Sequence, residues 1–173
     1  MLLTYKILSL LLDYPTEALH KALSDIGQQL RREQYLDEAS MKHIEDFARY
    51  ASSLPLMQWQ EQYVTLFDQG KGSNLYLFDH AYGSSRDRGQ AMVDLKEMYH
   101  AGGFIPCSDE LPDYLPLFLE FLALQPESSK AEQLLAETTP VITKMQQEME
   151  KQQTRYVLLL NVITLLAAKG GKP

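Results

Sequence analysis

The sequence is poor in the residues that most catalytic and metal chemistry needs. It has one cysteine, Cys107, in 173 residues. That excludes an intrachain disulfide framework and any paired-cysteine redox or zinc module. Its 4 histidines, at 20, 43, 80 and 100, are scattered, with no His-Glu-x-x-His and no metal-ligand spacing. Basic residues are in deficit, 16 Lys and Arg against 23 Asp and Glu, for a net charge of −7. Nucleic acids and anionic membranes need clustered cations, so neither is an expected partner. No apolar run approaches the roughly 20 residues that span a bilayer. The opening MLLTYKILSLLLDYP lacks a basic leading region, carries Lys6 inside its apolar stretch and has no small-residue cleavage site. It reads as an amphipathic first helix and not as a signal peptide. Arg31-Arg32 runs into Glu33-Gln34-Tyr35, as a solvated helix end does and an export signal does not. β-branched residues are sparse, and no alternating runs flank an Asn-Gly or Asp-Gly turn, so no sheet is expected.

Helical periodicity is present almost throughout. Apolar residues recur at three-and-four spacing in Ile7, Leu8, Leu11 and Leu12, then in Leu19, Leu23, Ile26 and Leu30, with Thr16 as N-cap. Ile44, Phe47, Ala48 and Ala51 follow, then Trp59, Tyr63, Leu66 and Phe67. A Ser84–Asp87 capping pair opens a helix through Leu95 and Tyr99 that Gly102-Gly103 ends. Leu115, Phe118, Leu119 and Leu122 form another, Ser129 with Glu132 caps a short one, Thr139-Pro140 opens the next, and residues 156–166 form the last. With no repeat and no linker rich in Pro, Gly or Ser, the expectation is one all-α domain over 1–173, a bundle of about eight helices. Two links stand apart, 68–83 and 102–113, long and too apolar to be left in water. Scaffold loops of this kind are where sites are built.

Catalytic readings fare poorly. Gly70-Lys71-Gly72-Ser73 lacks the glycine five residues upstream of Gly70, where position 65 is Thr, and the preceding strand of a phosphate loop. Cys107 has no base nearby in sequence, and Ser84-Ser85 has no nucleophile-elbow glycines. Asp109, Glu110 and Asp113 precede a helix, where the macrodipole favours acids in any protein. His80 reads as a hydrogen-bonded structural imidazole. Arg86 and Arg88 sit in a first helical turn, where the dipole disfavours cations, so either a loop or partner carboxylate compensates them or they are simply solvated. No catalytic residue and no metal ligand is assigned.

Tyr63-Val64-Thr65-Leu66-Phe67 resembles the aromatic-x-x-Leu-Phe motif of the TorD/DmsD/NarJ redox-enzyme maturation chaperones. The run from Glu110 through Pro112, Asp113, Tyr114, Leu117, Phe118 and Glu120 to Phe121 is similar to their Glu-x-Pro-Asp-His/Tyr and Leu-Glu-Phe motifs. Leu77-Phe78-Asp79-His80 and the stretch from Ser85 to Leu95 resemble the NarJ branch. The resemblance is dense from about 59 to 124 and elsewhere fades to helical pattern. It implies an all-α, non-enzymatic, cytoplasmic chaperone dedicated to the catalytic α subunit of a respiratory nitrate reductase. Such a chaperone holds the apo-complex by its N-terminal peptide, a relic of a twin-arginine signal. It does so until bis-molybdopterin guanine dinucleotide and iron–sulfur clusters are inserted, in concert with cofactor-biosynthesis proteins, and it retains no cofactor itself. Tyr114 stands where many members have His, and the chain ends at 173, so nothing assigned to a longer C-terminal tail is carried over.

The resemblance implies a peptide site of Tyr63, Leu66, Phe67, Asp68, Phe78, Arg86, Arg88, Pro112, Asp113, Tyr114, Leu117, Phe118, Glu120 and Phe121. An aromatic ladder of Tyr63, Phe67, Phe78, Tyr114 and Phe118 beside Asp68, Asp113 and Glu120 suits an amphipathic basic helix. The same spacing equally suits core packing. Three leucine-sized anchors at about 1.5–3 kcal/mol each give about 5–9 kcal/mol gross. Ordering the peptide takes back about 2–5 kcal/mol, leaving micromolar-range binding. The alternatives are a chaperone of this family for another molybdoenzyme, a helical module for folded partners, or nucleotide binding at Gly70–Ser73.

Overall fold

The computed structural model describes residues 2–70, 72–83 and 85–171. Among them ten α-helices run in chain order: α1 (Leu3–Leu12), α2 (Glu17–Glu33), α3 (Glu38–Ser52), α4 (Leu56–Tyr63), α5 (Leu77–Tyr82), α6 (Asp87–Ala101), α7 (Leu115–Ala123), α8 (Ser128–Glu137), α9 (Thr139–Lys151) and α10 (Val157–Gly170). The all-α architecture is as expected, and the count is ten rather than about eight. The one helix that no apolar stripe or start signal announced, α5, lies inside the apolar link 68–83.

Local chemistry sets most of the boundaries. Thr16 Oγ1 accepts from the Leu19 amide at 3.1 Å, and Asp37 Oδ1 accepts from Ser40 at 2.8 Å. Pro116 and Pro140 occupy first turns, where the missing N–H costs nothing. Of the sequence-based caps, one falls outside the described residues and one differs. Ser84 lies outside the described residues, and the Asp87 amide is met by Ser85 Oγ at 3.3 Å. Ser129 Oγ donates to Glu127 and does not cap α8. The fourth stripe is not one regular helix either, because α4 widens into a π turn, Val64–Asp68, closed by Gln69 N–H to Val64 C=O at 3.0 Å. Such turns often mark functional positions.

The core centres on α10, whose Leu159, Leu160, Val162, Ile163 and Leu166 are fully buried. It packs chiefly on α8, α3 and α9, while α1 lies along α7. At Gly170 the helices come so close that a Cβ would lie 2.1 Å from the Glu132 carbonyl oxygen. Trp59 reaches in from α4 and donates its indole N–H to the Tyr156 hydroxyl at 2.8 Å, both residues being buried.

Candidate functional site

The two long links are fastened to each other. Tyr76 and Tyr114 form an isolated antiparallel bridge, with Leu77 N–H on Asp113 C=O at 2.9 Å and Leu115 N–H on Leu75 C=O at 2.8 Å. This short buckle lies directly before α5 and α7. A different cleft lies on each side of it.

On one side is a cleft of about 220 Å³ lined by aromatic rings and carboxylates. Tyr63 and Phe67 come from α4 and its π turn, Asp68 ends that turn, Asp13 and Tyr14 follow α1, and Leu75, Tyr76, Glu110 and Tyr114 come from the links. The hydroxyls form two hydrogen-bonded groups. Tyr63 and Tyr114 share a 2.7 Å hydrogen bond, Tyr114 donates to Asp13 Oδ1 at 3.2 Å, and Tyr76 donates to Glu110. Burial pushes the Tyr63 and Tyr76 hydroxyls up from the ordinary tyrosine value, with the neighbouring carboxylates adding to the rise and the Tyr114 bond pulling Tyr63 partly back. Tyr114 is pushed up in the same way by burial and by its partners Tyr63 and Asp13. All three stay neutral donors at physiological pH, and the negative charge rests on Asp13, Asp68 and Glu110. Among the described residues no Lys, Arg or His lines this cleft, so its field favours a cation, and its tyrosine faces favour one further.

On the other side is a cleft of about 320 Å³ between α5, α6 and α8. Leu77, Phe78 and Tyr82 from α5 and Ala91, Leu95 and Met98 from α6 form its walls, Phe118 and Leu134 its floor, and Asp94 and Glu137 its acidic rim. Phe78 and Tyr82 meet edge to face with centroids 5.4 Å apart. The wall made by α6 is thinly packed, since it buries only Leu95 and Tyr99 of its 15 residues. Its first turn is held by Arg88, whose guanidinium lies 2.7 Å from Asp79 Oδ1 on α5.

Residues 33–160, which include the buckle and all the walls of this apolar cleft, match the family model described as nitrate reductase delta subunit. The chain belongs to this family. It is NarJ-like within it. It is 36% identical to the nitrate reductase molybdenum cofactor assembly chaperone NarJ of Escherichia coli K12 over 161 residues, 93% of this chain and 68% of that protein. It is 34% identical to the probable assembly chaperone NarW of the same strain over 165 residues, 95% and 68% of the two chains. It is 35% identical to the probable assembly chaperone NarJ of Bacillus subtilis 168 over 169 residues, 96% and 88%. These relatives are named as chaperones and not as enzymes. No helix of the described residues is long and apolar enough to cross a membrane, and no group of three His, Cys, Asp or Glu among them could hold a metal ion.

In this NarJ-like chain the fourteen residues of the expected site do not share one surface. Tyr63, Phe67, Asp68 and Tyr114 line the tyrosine–carboxylate cleft, and Phe78 and Phe118 line the apolar one. The aromatic ladder is mostly interior: Tyr63, Phe67, Tyr114 and Phe118 are each at most 9% exposed, so they offer edges to a ligand and not whole rings. Asp113 corrects the expected rim of acids. It is 0% exposed, with Oδ2 accepting from the Phe78 amide at 3.0 Å and Oδ1 unpartnered. Glu120 faces elsewhere, paired with Lys6 of α1. Pro112, Leu117 and Phe121 are buried, and Phe121 packs on Tyr99 and Phe104. Leu66 lines a separate shallow cleft with Tyr50 and Gln62. Of the two arginines, Arg88 has its carboxylate in Asp79, and Arg86 is exposed. Asp13, Tyr14, Tyr76 and Glu110 were missed as site residues. The available signal was Asp13-Tyr14-Pro15, a polar-aromatic stop placed where α1 must end beside the links.

The remaining candidates are structural. Ser73 is buried with its hydroxyl on the Leu66 carbonyl, and a Cβ at Gly70 would lie 2.1 Å from that same oxygen. The loop thus closes the π turn, and Lys71 lies outside the described residues. His80 shares a 2.9 Å hydrogen bond with the Asn74 carbonyl, and Cys107 is exposed.

Proposed function

We propose that this protein is a cytoplasmic assembly chaperone that binds the N-terminal segment of the apo catalytic subunit of a respiratory nitrate reductase as an amphipathic helix. It holds the apo-complex while the molybdenum cofactor and iron–sulfur clusters are inserted by other proteins, and before membrane docking. Bis-molybdopterin guanine dinucleotide is cargo for the client and is not retained by the chaperone. The observation that carries this reading is the pairing of clefts across the buckle. An apolar slot walled by a thinly packed helix adjoins a cation-seeking pocket of tyrosines and carboxylates. An amphipathic basic segment needs both, apolar anchors for affinity and charge for orientation and encounter. The names of the relatives support the choice of client.

Isothermal titration of the purified chain with a peptide of the α-subunit N-terminus tests this. The native peptide is expected to bind in the micromolar range or tighter, and a scrambled peptide of equal composition is not. Asp68→Lys with Glu110→Lys is expected to slow association at low salt, with the difference shrinking as salt rises, because exposed charges are screened beyond about 8–10 Å. Equal binding of native and scrambled peptides would reduce the site to general stickiness. Preference for the N-terminal peptide of another molybdoenzyme would move the chain to a different client. Gly70 and Ser73 pack against the Leu66 carbonyl, which gives the nucleotide reading no support.

A further inference from the structure

We infer that Pro112-Asp113 is the positioning element of the apolar cleft, a two-residue hub that holds both outer walls, α5 and α6, without touching the bound segment. The inference rests on the peptide-binding reading above and explains how that cleft keeps its shape.

A helix of six residues, as α5 is, cannot nucleate on its own strength. Its N-cap, Tyr76, makes no side-chain capping bond. Instead Asp113 accepts from both of its first amides, taking Leu77 N–H on its backbone carbonyl at 2.9 Å and Phe78 N–H on Oδ2 at 3.0 Å. The other wall is tied to the same point. Tyr99, one of the two buried residues of α6, donates its hydroxyl to the Pro112 carbonyl at 2.7 Å. The opposite end of α6 is held by Arg88 on Asp79, which stands on the helix that Asp113 caps. Phe78, Tyr82, Ala91 and Met98, which face the cleft, therefore ride on helices referred to one dipeptide. The floor residues Phe118 and Leu134 are buried in the main core, on α7 and α8.

Burial separates this role from direct contact. Asp113 is 0% exposed and lines neither cleft. Its unpartnered Oδ1 is a cost that an apolar side chain of similar size would avoid. What an apolar residue could not supply is the acceptor for the Phe78 amide.

The test uses the full chain and two fluorescent probes: the α-subunit N-terminal peptide and the same peptide with its Lys and Arg replaced by Gln. Amide hydrogen exchange is read alongside binding. Asp113→Ala is expected to weaken both peptides by the same factor, about tenfold, the loss of one helix cap. It should speed exchange in α5 and α6 and leave α1, α7 and α10 unchanged. Asp113→Asn, which still offers an oxygen to the Phe78 amide, is expected to restore most of the affinity and protection. Arg88→Gln, on a partly exposed pair, should give the same pattern more weakly, confined to the first turn of α6. A larger loss for the native than for the neutral peptide in Asp113→Ala would mean direct charge contact and overturn the inference. Lost affinity with unchanged exchange in α5 and α6 would overturn it as well, as would faster exchange with full affinity. Should Asp113→Ala not fold, the Asn and Arg88→Gln variants decide by the same readouts. If the wild-type chain binds neither peptide, the client reading fails by itself and exchange alone judges the hub.

Discussion

Removing the Glu33 side chain tests how α1, and with it Asp13 and Tyr14, is held. The N-cap of α1, Leu2, supplies no side-chain acceptor. Glu33, the last residue of α2, takes that place from 30 residues away. Its Oε1 accepts from the Leu3 amide at 2.8 Å, and its Oε2 accepts from the Thr4 amide at 2.9 Å and from the Thr4 hydroxyl. Thr4 is 0% exposed, so neither of its donors finds water once the carboxylate is gone. Loss of an N-cap costs about 0.5–2 kcal/mol, and a buried donor left unpaired costs about 1–3 kcal/mol. Together these give about 2–4 kcal/mol for Glu33→Ala, with Leu3 at the low end because it is only half-buried. In a domain of this size that is a fall in Tm of about 4–16 °C. Urea and thermal melts measure it, with Thr4→Val as the partner substitution. Because both changes act on one cluster, the double variant should fall short of the sum by more than about 0.5 kcal/mol. A Glu33→Ala protein within about 0.5 kcal/mol of wild type, or full additivity with Thr4→Val, would refute this account of the cap.

Two further outcomes follow from buried polar groups. Tyr156→Phe leaves the indole N–H of the only tryptophan, Trp59, without its acceptor and should destabilise by about 1–3 kcal/mol. Trp59 fluorescence reports the transition directly, and a loss under about 0.5 kcal/mol would contradict the bond. Asp113→Asn should change how stability depends on pH. Burial pushes the Asp113 carboxyl up, against the Phe78 amide and Arg88, which pull it down, and with Asp79 adding to the rise. The native state therefore keeps this proton to higher pH than the unfolded chain does. Its contribution is fully present below the unfolded value of about 3.9 and is lost as pH rises through the folded value. The Asn variant should gain on wild type steadily across that interval in urea melts. A constant difference between the two would show that Asp113 titrates as it does unfolded.

What the sequence could show was set by the range of the forces involved. The Thr16 cap, the stop at Tyr14-Pro15, the end of α6 at Gly102-Gly103 and the start of α9 at Thr139-Pro140 are local, and each stands as read. The helix α5 was hidden because its capping acceptor lies on Asp113, 35 residues from Phe78. Asp113 was misread for the same reason. An acid after Leu-Pro at a helix start looks like a rim or a cap of its own helix, and only the buckle shows that it serves another. Tyr63 and Phe67 show the limit of periodicity, because spacing on a helix is the same for a residue that fills a core and one that edges a cleft. The structure makes them both, buried at 4% and 5% exposure with edges on the tyrosine–carboxylate cleft. Glu110 stands in the motif without being marked by it as a site residue, because its role depends on Tyr76, which the link brings against it.

Under the proposed function, the two clefts would divide the work of binding in a way that bears on release. At about 320 Å³ the apolar slot is near the lower end of ligand pockets, so it accepts few anchors and caps the affinity they can supply. The charges stand apart, across the buckle, where Asp13 and Asp68 are open to water and screened by salt. Exposed charges of this kind raise the rate of encounter more than they deepen the complex. In the proposed role, fast capture combined with a modest apolar hold would give a complex that forms readily on a basic amphipathic segment and still dissociates. A deeper slot would hold longer and would need a device to let go. In the proposed role, limited depth in the apolar cleft is the property that would keep the hold reversible.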